Sequence, residues 1–306
     1  MNKETKVSVV IPSFNGKDLL KKHLPKVLLA LNNWQKQGWE VIVVDDASTD
    51  NTVQFLRESF PEVRVIANEK NLRFGHSCNK GVRAARGEII ILLNNDVSPK
   101  KDFLTPLIKN FRGIGVFAVG CRERQPGKKL DYGRGEMFFK RGLMIHRRAD
   151  SQKERTTDWV SGGSGAFDRT KWLYLGGMDG LFRPAYEEDR DLSYRAVKGG
   201  FKVLFEPESV VFHHHETTNK KVFGQKKMRI ISYKNHFLFV WKNITDTKLL
   251  LNHFIWLPYH LIINGFRTNG EETAGFIWAL SQLPEAVKSR SRVKRFFKKK
   301  DKEIIR

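Results

Sequence analysis

The sequence predicts an α/β protein built on a mostly parallel, Rossmann-like sheet flanked by helices and followed by a helical C-terminal extension. Three observations predict it: short β-branched runs that read as buried strands, helical stretches between them, and acidic clusters where strands or loops run out. The runs cover residues 7–11, 41–44, 63–66 and 88–93. Continuous apolar strands alternating with helices mark a parallel sheet covered on both faces. The clusters are Asp45-Asp46, Asn94-Asn95-Asp96 and Glu187-Glu188-Asp189. Carboxylates at the carboxyl ends of parallel strands line the crevice where an open α/β sheet binds its ligand.

After the first strand, a helix is expected over residues 16–37, with Leu20, Leu24, Val27, Leu28 and Leu31 on one face and Pro25 dividing or kinking it. The second strand runs into Asp46-Ala47-Ser48-Thr49-Asp50-Asn51-Thr52, a turn that feeds a short helix over 53–59. Its carboxylates suit the hydroxyls or ring nitrogen of a nucleoside, and Asp50 equally suits helix capping. The fourth strand ends in Asn94-Asn95-Asp96, with a further helix expected over 100–111. Asp96, left at the edge of the sheet, is a hard oxygen ligand for Mg²⁺ or Mn²⁺, which are usually held by one or two carboxylates together with substrate phosphates. The same three residues also suit a plain turn.

The 306 residues allow one large domain or two small ones, and 40% apolar content with 22 Phe describes a folded protein. Cys78 and Cys121 make no disulfide framework and lack partners at metal-ligand spacing, so a reducing cytosol is the expected compartment. The apolar stretch at 7–11 is too short for a signal peptide, so secretion is not expected. Net charge is +22, and residues 219–306 supply +13 of it, with 19 Lys and Arg against 6 Asp and Glu. A basic tail suits a phospholipid leaflet or a nucleic acid. No helix-turn-helix, zinc-finger or RNA-binding signature accompanies the charge, so nucleic acid is not the expected partner.

Read in order, the segments resemble the family 2 glycosyltransferases, which have the GT-A nucleotide-diphospho-sugar transferase fold. The residues that carry the resemblance begin with Val7-Ser8-Val9-Val10-Ile11-Pro12-Ser13-Phe14-Asn15, residues 41–50 around Asp45-Asp46, Asn71-Leu72-Arg73-Phe74-Gly75 and residues 87–96. They continue with residues 159–167, Gly176-Gly177-Met178-Asp179 and Glu188-Asp189-Arg190-Asp191-Leu192. Leu93-Asn94-Asn95-Asp96 and the later histidines are most similar to the bacterial rhamnosyltransferase-like branch, which builds surface polysaccharides.

The resemblance implies an inverting transfer from a nucleotide-diphosphate sugar to a hydroxyl of a saccharide or lipid-linked acceptor. In that reading Pro12, Ser13, Phe14, Asp46 and Asn95 hold the nucleotide, and Asn71, Arg73 and Asn79 belong to the part that closes over it. Asp96 carries the divalent cation, Mn²⁺ or Mg²⁺, and His213 completes its shell; a histidine ligand leans the choice toward Mn²⁺. Asp189, with Glu188 beside it, is the catalytic base at the start of a helix that Gly199-Gly200 ends. Standing against each role is a plainer one: an acidic helix start, or a polar strand end at His213-His214-His215. Asn94 replaces the first acid of a stricter Asp-x-Asp motif, and Arg73 stands where the branch usually has glycine.

Residues 159–167 are expected to form a glycine-rich bend and strand beside the base, with small residues leaving room for acceptor and sugar. Residues 122–158 read as a hairpin segment on the acceptor side. The catalytic domain is expected to span 1–220. The basic, aromatic extension of 221–306 is expected to contain a helix over 228–241, an interfacial, hairpin-like or spanning stretch at 249–266, and a tail in which Phe296 and Phe297 sit among lysines and arginines; the plainer alternative is a helical extension packed on the catalytic domain with a solvated tail. Together these place the chain at the cytoplasmic face of an anionic membrane. The alternative is a non-catalytic sugar-nucleotide-binding or scaffold protein of the same fold.

Overall fold

A computed structural model describes residues 6–34, 38–214 and 218–305. The first half alternates: β1 (Val7–Ser13), α1 (Lys17–Asn33), β2 (Trp39–Asp45), α2 (Thr52–Ser59), β3 (Arg64–Ala67), α3 (Phe74–Ala84) and β4 (Ile89–Leu93). There follow β5 (Val97–Pro99), α4 (Leu104–Lys109), β6 (Val116–Arg124), β7 (Asp131–Tyr132), β8 (Gly135–Lys140), β9 (Leu143–Arg148), β10 (Ser164–Asp168), α5 (Arg169–Tyr174), α6 (Glu188–Lys198) and β11 (Lys202–His213).

The main sheet has the order β3-β2-β1-β4-β10-β6-β11-β5, with β7 beside β6, while β8 and β9 form a separate hairpin. β1 to β4 pair in parallel, as their apolar runs predict. β10 is antiparallel to both β4 and β6, so the sheet as a whole is mixed. The chain leaves β1 toward β2 and β3 and returns on the other side as β4. The crevice between the ends of β1 and β4 is therefore a topological switch point, where such sheets bind ligands.

Alternate residues of β1 enter different cores, as a strand requires. Val9 joins Leu20, Leu24, Val27 and Leu31 of α1, and Val10 packs with Cys78 and Val82 of α3. α1 runs through Pro25 as one helix instead of dividing there. An interior proline costs about 3 kcal/mol, but each of the buried α1 leucines and Val27 contributes about 1.5–3 kcal/mol on burial. Pro25 is also exposed, so the carbonyl it leaves unpaired faces water. α4 starts later than expected because Pro99 pairs with Val211 in the sheet and a turn intervenes.

The C-terminal helices are α7 (Thr218–Asn243), interrupted at Gly224, α8 (Thr247–Pro258), α9 (Gly265–Arg267), α10 (Glu271–Ser281) and α11 (Leu283–Lys294). A π-helical turn, Tyr259–Asn264, joins α8 to α9. Among the described residues no helix is long and apolar enough to cross a membrane. The 249–266 stretch is instead turned inside out. His253 bonds Trp241 at 2.9 Å and the Gly142 carbonyl at 2.7 Å, and His260 bonds Glu272 and the Arg141 carbonyl, both at 2.7 Å. These polar residues face inward, while Phe254, Ile255 and Phe266 are 61%, 73% and 81% exposed.

This extension is docked into the α/β fold. Buried Asp191 of α6 accepts from Arg195 at 2.9 Å, Lys242 at 2.8 Å and Asn243 at 2.9 Å. Asn235 of α7 donates to the carbonyls of Phe182, Ala185 and Tyr186 at 3.1, 2.8 and 2.9 Å. The tail also turns inward: Asp301 is fully buried against Tyr194, Lys198 and the Thr245 and Asp246 backbone, and Phe296 lies in the core beside Tyr174. Phe296 is therefore a packing residue, which corrects its expected place in a surface tail. Phe297 stacks under the Lys198 ammonium, 4.3 Å from its ring centre.

Candidate active site

The ends of β1, β2 and β4 meet at the switch point. Asn95 donates to the Ser13 hydroxyl at 3.0 Å, and the Asp46 N–H donates to the Ser13 carbonyl at 2.8 Å. Pro12 and Ser13 are buried there, and Phe14 is half-buried at the strand's exit. Asp50 tethers two helix starts, its carboxylate accepting from the Lys17 N–H at 3.0 Å and from the Thr52 N–H at 3.2 Å.

Asp46 accepts from Asn68 and the Leu72 N–H through Oδ1 and from the Arg73 N–H through Oδ2, each at 2.8 Å. A carboxylate offers about four acceptor positions, so most of its capacity goes to holding the 68–73 loop over the crevice. Asn71 braces the same loop by accepting from the Arg73 N–H at 3.2 Å. Asp45, which sequence reasoning left without a role, keeps Oδ1 buried with no hydrogen-bond partner among the described residues. Asn79 is buried: its carbonyl accepts from the Met178 N–H and the Trp172 indole, and its amide donates to the Met178 carbonyl. Its contacts are those of a scaffold residue.

Arg73 adopts φ 73° and ψ 169°, a region open essentially to glycine alone. This explains in backbone terms why glycine suits the position. The guanidinium lies 5.1 Å over the Phe223 ring. Strain at such a residue costs about 1–3 kcal/mol, whereas an exposed cation–π contact returns about 0.5–1 kcal/mol. Arg73→Gly is therefore expected to stabilise the fold by about 1 kcal/mol, read from urea unfolding midpoints; a lowered midpoint would contradict this account.

Asp96 sits between β4 and β5, and its Oδ1 lies 3.2 Å from Nε2 of His213 at the end of β11. Glu123 of β6 approaches the other ring nitrogen of His213 at 3.2 Å and also accepts from the Ser164 hydroxyl. Burial works to lower the His213 pKa, but the Asp96 and Glu123 bonds outweigh it and raise it to about 10. Two ligand atoms set at right angles on one cation with bonds of about 2.1 Å stand about 3 Å apart. The Asp96–His213 pair fits that spacing, and Glu123 is placed as the outer partner that orients a ligating imidazole. Glu123 was invisible in the sequence, because only the order β10-β6-β11 brings it between Ser164 and His213. His214 stacks near His23, ring centres 4.7 Å apart, and His215 lies outside the described residues.

The bend over Ser161-Gly162-Gly163 joins this region to the acidic helix start. The Gly163 carbonyl accepts from the Asn94 N–H at 2.9 Å, and the Gly162 N–H donates to Asp189 Oδ2 at 3.2 Å. A side chain at Gly163 would lie 2.5 Å from Asn94 Nδ2, and one at Gly162 would lie 2.7 Å from the Met178 methyl. The glycines thus admit neighbouring protein side chains. Asp189 is partly exposed and also accepts from the Arg190 N–H at 2.8 Å. Glu188 is buried beneath it: loss of hydration and the Asp189 charge push its pKa up to about 8. Glu187, at φ 72°, is likewise raised to about 7 by burial, against the pull of Arg190.

The model for glycosyl transferase family 2 matches residues 8–174. A Methanococcus voltae protein, dolichyl N-acetyl-alpha-D-glucosaminyl phosphate 3-beta-D-2,3-diacetamido-2,3-dideoxy-beta-D-glucuronosyltransferase, is 27% identical over 85% of this chain and 82% of its own length. The N-acetylglucosaminyl-diphospho-decaprenol L-rhamnosyltransferase of Mycobacterium tuberculosis is 26% identical over 63% of this chain and 72% of its own length. Among solved structures, the mannosyltransferase PcManGT from Pyrobaculum calidifontis, in complex with GDP-Man and Mn²⁺, matches with a TM-score of 0.59 at 18% identity, covering 96% of this chain and 86% of that one. Staphylococcal TarS in complex with UDP-GlcNAc matches with a TM-score of 0.61 at 15% identity, covering 95% and 84%. With the family match spanning more than half of the residues and the fold shared along almost the whole length, this chain belongs to glycosyl transferase family 2 and is a glycosyltransferase of the GT-A fold.

Proposed function

We propose that the protein transfers a sugar, with inversion, from a nucleoside-diphosphate donor to a hydroxyl of a lipid-linked saccharide at a membrane surface, in cell-surface polysaccharide synthesis. The observation that carries this reading is the Ser161–Gly163 bend, which hydrogen-bonds the end of β4 on one side and Asp189 on the other. It links the base to the strand end that leads into Asp96.

In this reading the acceptor oxygen attacks the anomeric carbon, the bond from that carbon to the diphosphate oxygen breaks, and the acceptor proton passes to Asp189. Glu188, raised to about 8, carries its own proton at neutral pH and leaves the role of base to its neighbour. Asp96 and His213 would hold the divalent cation, Mn²⁺ or Mg²⁺, which supplies positive charge against the departing diphosphate. Pro12, Ser13, Phe14 and Asn95 form the nucleotide end of the crevice. Asp46 acts there through the loop of Asn71 and Arg73 that it holds. The donor test is a panel of nucleoside-diphosphate sugars with Mn²⁺, Mg²⁺ or chelator, read as nucleoside diphosphate released. Metal-dependent release with one donor is expected, and Asp96→Asn should remove the metal dependence. Absence of release with every donor and both metals would favour a binding or scaffold role.

The names of the relatives, which include dolichyl- and decaprenol-linked acceptors, support the lipid-linked acceptor. The apolar face of α8 and α9 supports a peripheral position at the cytoplasmic face of an anionic membrane. Burying one large apolar side chain is worth about 1.5–3 kcal/mol, so replacing Phe254 and Ile255 together by Asp should weaken binding to phosphatidylglycerol vesicles by about a hundredfold or more. Unchanged vesicle sedimentation would remove this face from the membrane contact.

A further inference from the structure

His146 of β9, Glu187 at the turn into α6 and His236 of α7 each bring one donor atom within 4.8 Å of the other two. Glu187 Oε1 lies 3.6 Å from His236 Nε2 and 4.0 Å from His146 Nδ1. Both atoms are sealed from solvent: His236 Nε2 has no hydrogen-bond partner among the described residues, and Glu187 Oε1 meets only the Arg190 guanidinium there. Leaving the imidazole nitrogen unsatisfied is costly, and a cation bound between the two would satisfy it while drawing on the carboxylate. Four ligands around an ion with bonds of about 2.0–2.1 Å stand about 3.3 Å apart. Small side-chain rotations would therefore close the observed spacing. The His146 side chain is 34% exposed, which opens a fourth position to water or to a substrate oxygen.

We propose that His146, Glu187 and His236 form a second metal site, for a four-coordinate transition-metal ion of the Zn²⁺ class. Two imidazoles, one carboxylate and an open position are a donor set that zinc takes, whereas Mg²⁺ prefers oxygen ligands. The competing charge is Arg190, whose Nη2 lies 2.8 Å from Glu187 Oε1. That contact draws the Glu187 carboxyl toward its charged form, the form that a metal ion needs; the Arg190 Nε is buried without a hydrogen-bond partner among the described residues, and the guanidinium lies 5.8 Å over the Trp159 ring. A divalent ion brings twice the charge to the same oxygen, and Arg190 keeps Trp159 as a neighbour. The ligands lie far apart in sequence and come from three elements, so no motif announces them. The inference is independent of the proposed transfer reaction, because binding is read without turnover.

The experiment is titration of the untagged, metal-free full-length chain with Co²⁺, following the visible absorption of the four-coordinate ion. One equivalent should give an intense band that Zn²⁺ displaces. The band should persist in Asp96→Asn and weaken at least tenfold in apparent affinity in His146→Ala and His236→Ala. His236 is partly buried and its removal bears on folding, so His146→Ala, with an unchanged thermal melt, is the deciding variant. A wild-type chain without the four-coordinate band, or one whose band survives unaltered in His146→Ala, overturns the site.

Discussion

Asp189→Asn is expected to lower transfer by about 10²–10⁴-fold, the usual range for loss of a positioned general base, while donor binding measured calorimetrically stays unchanged. Asparagine preserves the size of the side chain and keeps an oxygen that accepts from one of its present donors, the Gly162 or Arg190 N–H. It cannot take up the acceptor proton. Glu188 is not a ready substitute, because its Oε2 is sealed inside the protein and the group holds its proton to about pH 8. The contrast that matters is turnover against donor affinity: loss of both together would point to a collapsed site, and near-normal turnover would assign the base elsewhere.

The largest effect on stability is expected from Asp191→Ala, only two positions along the same helix. Asp191 is fully buried, and its two oxygens receive Arg195 from its own helix and Lys242 and Asn243 from the end of α7. Removing one partner of a buried ion pair costs about 3–5 kcal/mol because the remaining charge is stranded. Here two cations share the loss, although Lys242 retains Asp179 at 2.8 Å. Urea unfolding should show the decrease, with Asp189→Asn nearly unchanged in the same assay. A cost below about 1 kcal/mol would mean that water or Asp179 replaces the lost carboxylate.

The difference between these two aspartates marks the reach of the sequence. Strands β1 to β4 were legible because buried parallel strands write themselves as unbroken β-branched runs, and the acids at their ends follow from that register. The pairing of Asp96 with His213 was legible only through family resemblance, since it rests on the three-residue strand β5, which follows Asp96 and pairs with the distant β11. Glu123 and the His146–Glu187–His236 group were not legible at all, because each depends on which distant elements become neighbours. Asp46 shows a subtler limit: its place at the β2 end was clear, but its three hydrogen bonds to the 68–73 loop depend on a loop path that no periodicity encodes. The tail misled for the opposite reason. Its composition is basic, yet Asp301 and Phe296 fix its backbone against α6 and the core, and composition carries no information about which way a residue faces.

The amide of Asn235 grips three successive parts of the 182–186 turn just before the helix that presents Asp189. The start of that helix is thus fastened from α7, in the C-terminal extension. In chimaeras that exchange C-terminal portions between family members, a junction near residue 220 would hand over the fastening of the proposed base along with the extension. Portability then depends on whether the incoming helix supplies a matching amide, and two halves that each fold well can still yield an inert hybrid.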